Sequence, residues 1–190
     1  MRIQKTGKIT ALALSAMLSV SLFFGGCSGR KDTDLADFEA KTLSGENFTQ
    51  DDLEDADVTV MNFWSLRCGP CIREMPDIAA YAGELPDNVR IITVCLDGEG
   101  KEEQVKKILD NAGFTGITLL AGISFTEDAG DFKTLCENII YTPTTLIVDR
   151  DGNIVGNPIV GGQEDLEKTY TEAINKCLEL LGEEEIAIGK

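Results

Sequence analysis

The hydrophobic residues of this chain fall into short runs separated by polar, helix-like stretches. Apolar runs bounded by Gly, Asp or Asn are typical of buried strands. The stretches between them repeat their apolar residues every three or four positions, which is the period of an amphipathic helix. The pattern predicts strands over Val58–Trp64, Val89–Leu96, Ile117–Leu120, Thr144–Val148 and Asn153–Val160, and helices over Ile72–Glu84, Lys101–Asn111, Asp128–Ile139 and Gln163–Leu181.

Three local signals refine this pattern. Pro76 lies inside the first predicted helix and should interrupt and kink it, because proline lacks an N–H group. Gly113 provides a C-terminal stop for the second helix. The turn Asp149-Arg150-Asp151-Gly152 joins the last two strands as a hairpin. Strands that alternate with helices, with one hairpin late in the chain, predict an α/β fold with a central mixed sheet flanked by helices.

The N-terminal segment has the pattern of a secretory signal. Three basic residues precede an apolar run over residues 9–24, and small residues follow. This run is shorter than the roughly 20 residues of a membrane-spanning helix. Phe24-Gly25-Gly26-Cys27 resembles the lipobox of bacterial lipoproteins, in which the cysteine is lipidated, although Phe24 replaces the usual aliphatic residue. An uncleaved signal anchor is the alternative, and either interpretation places the domain outside the cytoplasmic membrane.

The length and composition fit one folded domain behind this signal. The chain has 190 residues, of which 43% are hydrophobic and 26% charged, as in ordinary globular proteins. We expect a lipoprotein signal peptide at residues 1–26, a lipidated N-terminus and polar tether at 27–36, and a single folded domain at 37–190.

Charge and histidine content exclude several function classes. The formal net charge is −16, so phosphate backbones would repel the chain and nucleic-acid binding is not expected. The chain has no histidine, which excludes Ser-His-Asp and Cys-His nucleophiles and zinc or iron sites with His ligands. Six cysteines remain as the candidate chemistry.

Two of these cysteines are separated by two residues and follow the first predicted strand. Cys68 comes where the first helix begins, and Cys71 falls in the first helical turn. Free N–H groups and the dipole at a helix N-terminus stabilise a thiolate. Gly69 and Pro70 suit this tight entry, and Arg67 is a neighbouring cation. The spacing predicts a redox disulfide in which Cys68 attacks and Cys71 resolves.

Two other interpretations of the pair are less well supported. Half of a structural zinc site needs a second Cys-x-x-Cys or two histidines, and the chain has neither. A purely structural disulfide does not explain a position directly after a strand and before a helix. We therefore expect no metal and no organic cofactor.

The segment from Asn62 to Pro76 (NFWSLRCGPCIREMP) resembles the active-site segment of extracytoplasmic thioredoxin-like proteins of the TlpA/ResA type. Far downstream, Ile140-Tyr141-Thr142-Pro143-Thr144-Thr145 resembles the cis-proline segment of that family. The resemblance covers roughly residues 37–181. It implies a thioredoxin fold with an N-terminal extension and a TlpA-type insertion at about 113–138.

Several site residues follow from this resemblance. Asn62 stands where ordinary thioredoxins have a buried Asp, and Glu74 matches an acid that the ResA branch uses near its active site. Glu74 is a candidate proton acceptor for Cys71, with a solvated helix acid as the alternative. Arg67 departs from the family, which usually has an aromatic residue there. Trp64 is expected to pack beneath the site, with a role in substrate contact as the minor alternative.

The remaining contacts with substrate are expected around the proline. A cis Pro143 would expose the Thr142 backbone beside Cys68 for pairing with an extended substrate, whereas the residues alone leave a trans turn equally open. The expected substrate-binding set consists of Trp64, Arg67, Gly69, Pro70, Thr142 and Pro143.

The resemblance implies a lipid-anchored protein-disulfide reductase, expected to be a monomer. Its expected partners are protein disulfides, such as those met in cytochrome c maturation or surface protein repair, and a membrane thiol transporter of the CcdA/DsbD kind as electron donor. A disulfide-donating oxidase is the first alternative. A non-catalytic binding module or copper chaperone is the second, although the usual third ligand, a histidine, is missing. A peroxiredoxin is disfavoured, because Cys68 lacks the Pro-x-x-x-Thr-x-x-Cys pattern.

The other cysteines carry weaker expectations. Cys27 is assigned to lipid and Cys95 to the core. Cys136 and Cys177 lie on predicted helices, where a second disulfide between them is open, since sequence does not show proximity.

Overall fold

The computed structural model describes residues 34–122 and 130–187. The strands are β1 (Glu39–Thr42), β2 (Asn47–Thr49), β3 (Val58–Trp64), β4 (Val89–Cys95), β5 (Thr118–Leu120), β6 (Thr144–Asp149) and β7 (Ile154–Val160). The helices are α1 (Gly69–Ala82), α2 (Glu102–Ala112), α3 (Gly130–Asn138) and α4 (Leu166–Leu181), and a 3₁₀ turn spans Gln50–Asp55.

The strands form one mixed sheet in the order β2-β1-β5-β4-β3-β6-β7. Strand β3 is central, and all seven of its residues are buried. It runs parallel to β4, which runs parallel to β5, whereas β6, β7 and β1 join the sheet in antiparallel pairs. The predicted α/β fold with a mixed sheet is confirmed.

The side chains of β3 alternate between two hydrophobic cores, one on each face of the sheet. Val58, Val60 and Trp64 lie in the core that also contains buried residues of α1, α2 and α4. Met61 and Phe63 lie in the other core, with residues of α3 and of the N-terminal segment. The sheet is therefore covered on both faces, as expected for a strand that is apolar along its whole length.

Most predicted elements are confirmed, with end positions that differ by a few residues. Strand β3 has the predicted bounds, and Gly113 ends α2 with a left-handed φ of 76°. The predicted interruption at Pro76 is wrong, since α1 continues through this residue. The predicted start of α3 at Asp128 lies outside the described residues.

The hairpin β1–β2 is not predicted by the hydrophobic pattern. Its strands have four and three residues, too short for a distinct apolar run. Strand β1 pairs with β5 and extends the sheet beyond the parallel strands. This hairpin precedes β3 and forms an N-terminal addition to the sheet.

Residues 34–36 pack on the domain, although the sequence interpretation assigns them to the tether. Leu35 is 1% exposed, and its N–H donates to the Gly152 carbonyl at 3.0 Å. The Asp34 carboxylate accepts from the Ile154 N–H at 2.8 Å. The predicted signal and Cys27 lie outside the described residues. Within 34–122 and 130–187, none of the helices is both long and apolar enough to cross a membrane.

Candidate active site

The redox pair lies at the start of helix α1, which follows the central strand β3 after a short loop. Cys68 is the N-cap residue of α1, and its carbonyl accepts from the Ile72 N–H at 3.1 Å. Pro70 occupies the first turn, where its missing N–H costs no hydrogen bond. The sequence therefore starts the helix at the cysteine pair, as predicted.

Cys68 and Cys71 form a disulfide, and the two sulfurs have different surroundings. Cys68 is 8% exposed, whereas Cys71 is 1% exposed. The Cys71 backbone N–H points at the Cys68 sulfur at 3.2 Å. When the pair is reduced, this N–H and the dipole of α1 favour negative charge on Cys68. The geometry thus distinguishes Cys68, the more exposed sulfur at the helix N-terminus, from Cys71, which is more deeply buried.

Two arginines lie close to the pair in sequence, and both are exposed. Arg67 immediately precedes Cys68. The Arg73 guanidinium lies beside Gly69, where a Cβ atom on that glycine would come within 3.3 Å of Nη1. Sequence reasoning singled out Arg67 and missed Arg73. The signal for Arg73 was its position one helical turn after Gly69.

Asp97 fixes the loop that leads to the redox pair, and it was also missed. Its Oδ1 accepts from the Leu66 N–H at 2.8 Å and lies 3.7 Å from the Cys95 sulfur. In the hydrophobic pattern, Asp97 is only the first polar residue after the predicted strand Val89–Leu96. Its contact with Leu66 spans 31 residues, so the pattern of β4 alone gives no sign of it.

Pro143 lies at the same end of the sheet as the cysteine pair. The Thr142–Pro143 peptide bond is cis, as the resemblance predicts. Thr144 pairs with Phe63 across the sheet, so the residues before β6 meet the residues after β3. The Pro143 carbonyl accepts from the Gly161 N–H at 2.8 Å. These contacts bring the two separated sequence motifs together.

Trp64 lies beneath the site. Its side chain is fully buried in the core that contains both cysteines, which matches the predicted packing role. A side chain with no exposed surface does not touch a substrate in this structure. Its Nε1 has no hydrogen-bond partner among the described residues.

Glu74 is buried on α1, three residues after Cys71. It is 7% exposed, and its Oε1 accepts from the Gln163 N–H at 2.9 Å while Oε2 has no partner among the described residues. Burial raises the pKa of the Glu74 carboxyl above its usual range, the Gln163 N–H works against this rise, and nearby Asp77 adds to it. The alternative of a solvated helix acid is wrong.

Asn62 belongs to a buried polar cluster with α4. Its Nδ2 donates to Thr145 Oγ1 at 3.0 Å and to the Tyr170 hydroxyl at 3.3 Å. Tyr170 and Thr145 share a further hydrogen bond of 2.7 Å, and burial raises the pKa of Tyr170 to about 12. Because an amide does not titrate, Asn62 contributes hydrogen bonds to this cluster and takes no part in proton transfer.

The other described cysteines are free and buried. Cys95 is fully buried, as predicted, and burial raises its pKa to about 12. Cys136 and Cys177 belong to the two different cores, on opposite faces of the sheet, so no disulfide joins them. Burial raises their pKa values to about 12 and about 11, which keeps both as thiols at neutral pH.

A model of one protein family matches residues 32–156, a range that includes the cysteine pair and Pro143. The chain belongs to the AhpC/TSA family. This AhpC/TSA protein is 29% identical over 173 residues to the thiol-disulfide oxidoreductase ResA of Halalkalibacterium halodurans, a match covering 86% of the chain and 92% of ResA. It is 32% identical over 119 residues to the thioredoxin-like protein YneN of Bacillus subtilis, covering 62% of the chain and 65% of YneN.

Solved structures support the fold of this AhpC/TSA protein. One is StoA from Bacillus subtilis, with a TM-score of 0.50 and 23% identity over 66% of the chain and 88% of StoA. Another is a secreted disulfide oxidoreductase of Mycobacterium tuberculosis described as homologous to Escherichia coli DsbE, with a TM-score of 0.51 and 20% identity, covering 68% and 90%. The fold is therefore thioredoxin-like, as the resemblance predicts.

The redox pair and the relatives agree on the chemistry. The Cys68–Cys71 disulfide caps α1, and a named thiol-disulfide oxidoreductase matches across most of its length. The AhpC/TSA protein is a thiol–disulfide oxidoreductase of the ResA and StoA type.

Proposed function

We propose that this oxidoreductase is held outside the cytoplasmic membrane by a lipid on Cys27 and reduces disulfides of extracytoplasmic proteins. The observation that carries the proposal is the asymmetry of the pair. The Cys68 sulfur accepts a hydrogen bond from the Cys71 N–H at the N-terminus of α1, and Cys71 is the more deeply buried of the two residues. The more accessible sulfur, which is stabilised as a thiolate, attacks, and its more deeply buried neighbour completes the exchange.

The reaction is two successive thiol–disulfide exchanges. The Cys68 thiolate attacks one sulfur of a target disulfide, the target S–S bond breaks, and the released target thiolate takes a proton. Cys71 then loses its proton and attacks the Cys68 sulfur, which releases the second target cysteine as a thiol. The target gains two electrons and two protons, and Cys68–Cys71 becomes the disulfide.

Glu74 is proposed to accept the Cys71 proton in the second exchange. The two residues are three positions apart on α1 and therefore lie on one face of the helix. Oε1 is occupied by the Gln163 N–H, whereas the buried Oε2 is without a partner in the described residues. A carboxyl whose pKa is raised toward neutrality is a better match for a thiol proton than an ordinary glutamate.

The target is proposed to bind across the end of the sheet. Arg67, Gly69 and Pro70 are sequence neighbours of the pair, and Thr142 and Pro143 lie at the same end of the sheet. An extended target segment would pair with the Thr142 backbone and bring its disulfide to Cys68.

The electron donor is proposed to be a membrane dithiol transporter of the CcdA/DsbD kind, which returns the pair to the reduced state. The signal-like N-terminus and the lipobox-like Phe24–Cys27 support the location, and the Gly-Pro dipeptide between the cysteines supports the reductive direction. Cytochrome c maturation and surface protein repair are the processes in which such reduction is needed. The domain is proposed to act as a monomer.

A redox titration tests the direction. The full-length protein in detergent would be equilibrated in graded thiol buffers and alkylated. The redox state of Cys68–Cys71 would then be read by mass spectrometry. We expect a midpoint near or below about −230 mV, which is typical of reductants. A midpoint of about −120 to −180 mV would indicate an oxidant or isomerase, and a pair that never closes reversibly would contradict the enzymatic function.

A trapping experiment tests the order of attack. In Cys71→Ser, the mixed disulfide between Cys68 and its target should accumulate, because the resolving thiol is absent. In the matched variant Cys68→Ser, no such adduct is expected. Equal trapping by both variants, seen by non-reducing electrophoresis and mass spectrometry, would argue against Cys68 as the attacking sulfur.

A further inference from the structure

The carboxyl group of Glu74 is held by the segment that joins β7 to α4, residues 161–165. The Gln163 N–H donates to Oε1 of Glu74 at 2.9 Å, across 89 residues of sequence. The side chain of Glu74 is buried, and its Oε2 has no partner among the described residues. The contact with Gln163 therefore distinguishes the two carboxylate oxygens, since one is occupied and the other is left for a further donor.

The Gln163 residue is itself anchored by contacts of its own segment. Its side-chain Nε2 donates to the Gly161 carbonyl at 2.6 Å, which closes a short turn. The Gly161 N–H donates to the Pro143 carbonyl at 2.8 Å. Gly161 has a φ of 87°, in the left-handed region that suits glycine. The Gln163 N–H thus reaches Glu74 from a turn that is fixed to the cis-proline.

This anchored contact lies next to the buried thiol of the redox pair. Cys71 is 1% exposed, so water has little access to its sulfur. Glu74 lies three residues further along α1, on the same face of the helix. A proton acceptor acts efficiently only when it is held in the right orientation, and the bond to Gln163 restricts the rotation of this carboxyl group.

We propose that Gln163 is a positioning residue for the second exchange, because its N–H holds Oε1 of Glu74 and leaves Oε2 to take the proton of Cys71. The inference rests on the proposed function and adds the residue that orients its proton acceptor. In this step the Cys71 proton passes to Glu74, and the Cys71 sulfur forms a bond with the Cys68 sulfur. The bond between Cys68 and the target sulfur breaks, and the target cysteine leaves as a thiolate that takes a proton from water.

Other titratable groups surround this contact. Asp77 follows Glu74 on α1, and Tyr170 of α4 lies near enough for the charge of Glu74 to act on it. Gln163 lines a surface cavity of about 350 Å³ together with the acids Asp77, Glu164 and Asp165. The Gln163 variants used below leave all of these groups in place, so they test Gln163 against a constant background of charge.

The test separates the two exchanges, with oxidised glutathione as the disulfide. The reduced full-length protein in detergent would be mixed with enough glutathione for the adduct on Cys68 to accumulate, quenched with acid and analysed by mass spectrometry. Formation of the adduct reports the first exchange, and its conversion to the Cys68–Cys71 disulfide reports the second. We expect Gln163→Met, which removes the Nε2 donor, to form the adduct at the wild-type rate and to convert it about tenfold more slowly.

Two further variants control this result. Gln104→Met makes the same chemical change on the exposed face of α2 and should keep both rates. Gln163→Pro removes the backbone N–H itself and should slow the second exchange more than Gln163→Met does. Should Gln163→Pro unfold in circular dichroism, Gln163→Met decides alone. A wild-type rate of the second exchange in folded Gln163→Met would overturn the proposal.

A pH profile and a double variant distinguish positioning from general loosening of the fold. The Gln163 N–H favours the charged form of Glu74, so weakening this bond should move the rise of the second rate to higher pH. In a Glu74→Gln background, Gln163→Met should have no further effect, since both changes act through one group. An equal slowing in that background, or a slower rate with an unmoved profile, would show that Gln163 acts elsewhere and would overturn the proposal.

Failure of the proposed function gives a different result. A second exchange that is slowed by Glu74→Gln but not by Gln163→Met would overturn the role of Gln163 alone. A second exchange that Glu74→Gln does not slow would overturn the role of Glu74 and that of Gln163 with it. Absence of both the adduct and the Cys68–Cys71 disulfide after mixing would overturn the exchange reaction itself.

Discussion

At the scale of single residues, Glu74 combines burial with an incomplete set of hydrogen bonds. One carboxylate oxygen accepts from Gln163, and the other is buried with no partner among the described residues. Removal of this carboxylate from water disfavours its charge, which is why its pKa is raised from the ordinary value of 4.5. The burial that supports the proposed proton transfer therefore also weakens the fold when Glu74 ionises.

This burial predicts the pH dependence of stability. Between pH 4.5 and the raised pKa, the native state keeps a proton on Glu74 that the unfolded chain releases, so stability should fall as pH rises through that window. Glu74→Gln keeps an acceptor for the Gln163 N–H and removes the charge, so its decline should be smaller. Urea unfolding across pH 4–8 measures the difference, with the exposed Glu84→Gln as control. Parallel curves for wild type and Glu74→Gln would contradict the assignment.

At the scale of secondary structure elements, helix α4 is fastened to the sheet by buried polar groups. The Tyr170 hydroxyl meets Thr145 of β6 and Asn62 of β3. Thr171 shares a hydrogen bond of 2.7 Å with Tyr81 of α1. These contacts fix α4 against β3, β6 and α1, the elements that carry the redox site.

Loss of the Tyr170 hydroxyl should therefore weaken the whole fold. Tyr170→Phe keeps the packing of the ring but removes the two hydrogen bonds of its hydroxyl, to Thr145 and Asn62, which should cost about 1–2 kcal/mol. The free energy of unfolding in urea measures this loss. The matched change Tyr81→Phe removes a single hydrogen bond and should cost less; the reverse order would show that the Asn62 cluster does not stabilise the protein.

Two element ends depend on glycine for different reasons. Gly113 ends α2 with a φ of 76° and has open space around it, so Gly113→Ala should cost about 1 kcal/mol from the backbone alone. At Gly130, where φ is 50°, an added Cβ would also collide with the Asp37 carbonyl. Gly130→Ala should cost about 2–4 kcal/mol. Equal thermal midpoints for the two variants would contradict this difference.

At the scale of the whole molecule, the acid surplus should govern the response to salt. The ion pairs Lys106–Asp110 and Lys133–Glu137 are exposed neighbours on single helices and contribute little. Repulsion within a chain of net charge −16 is the larger effect, and salt screens it. We expect the thermal midpoint to rise between 10 mM and 300 mM sodium chloride in calorimetry. A falling midpoint would mean that attractive pairs dominate.

The sequence predicts the parts of this fold that depend on local pattern. Strand β3 is identified by its continuous apolar run, and the cysteine spacing identifies the start of α1. The hairpin β1–β2 is missed, because its stability comes from pairing with β5 more than 70 residues later. At the site, Gln163 and Asp97 are missed for the same reason, since each acts through a contact that only the folded chain creates.

The docking of Leu35 places the start of the described chain at the end of the sheet opposite to the redox pair. Leu35 is fixed to the turn between β6 and β7, at the end of β3 opposite to Cys68, about 20 Å away along the strand. Immobilised through residues upstream of Leu35, the domain presents its disulfide to the solution. Under the proposed lipid anchoring, this orientation leaves the disulfide accessible to targets in solution. Contact with a membrane donor would then require the domain to rotate so that the disulfide faces the membrane.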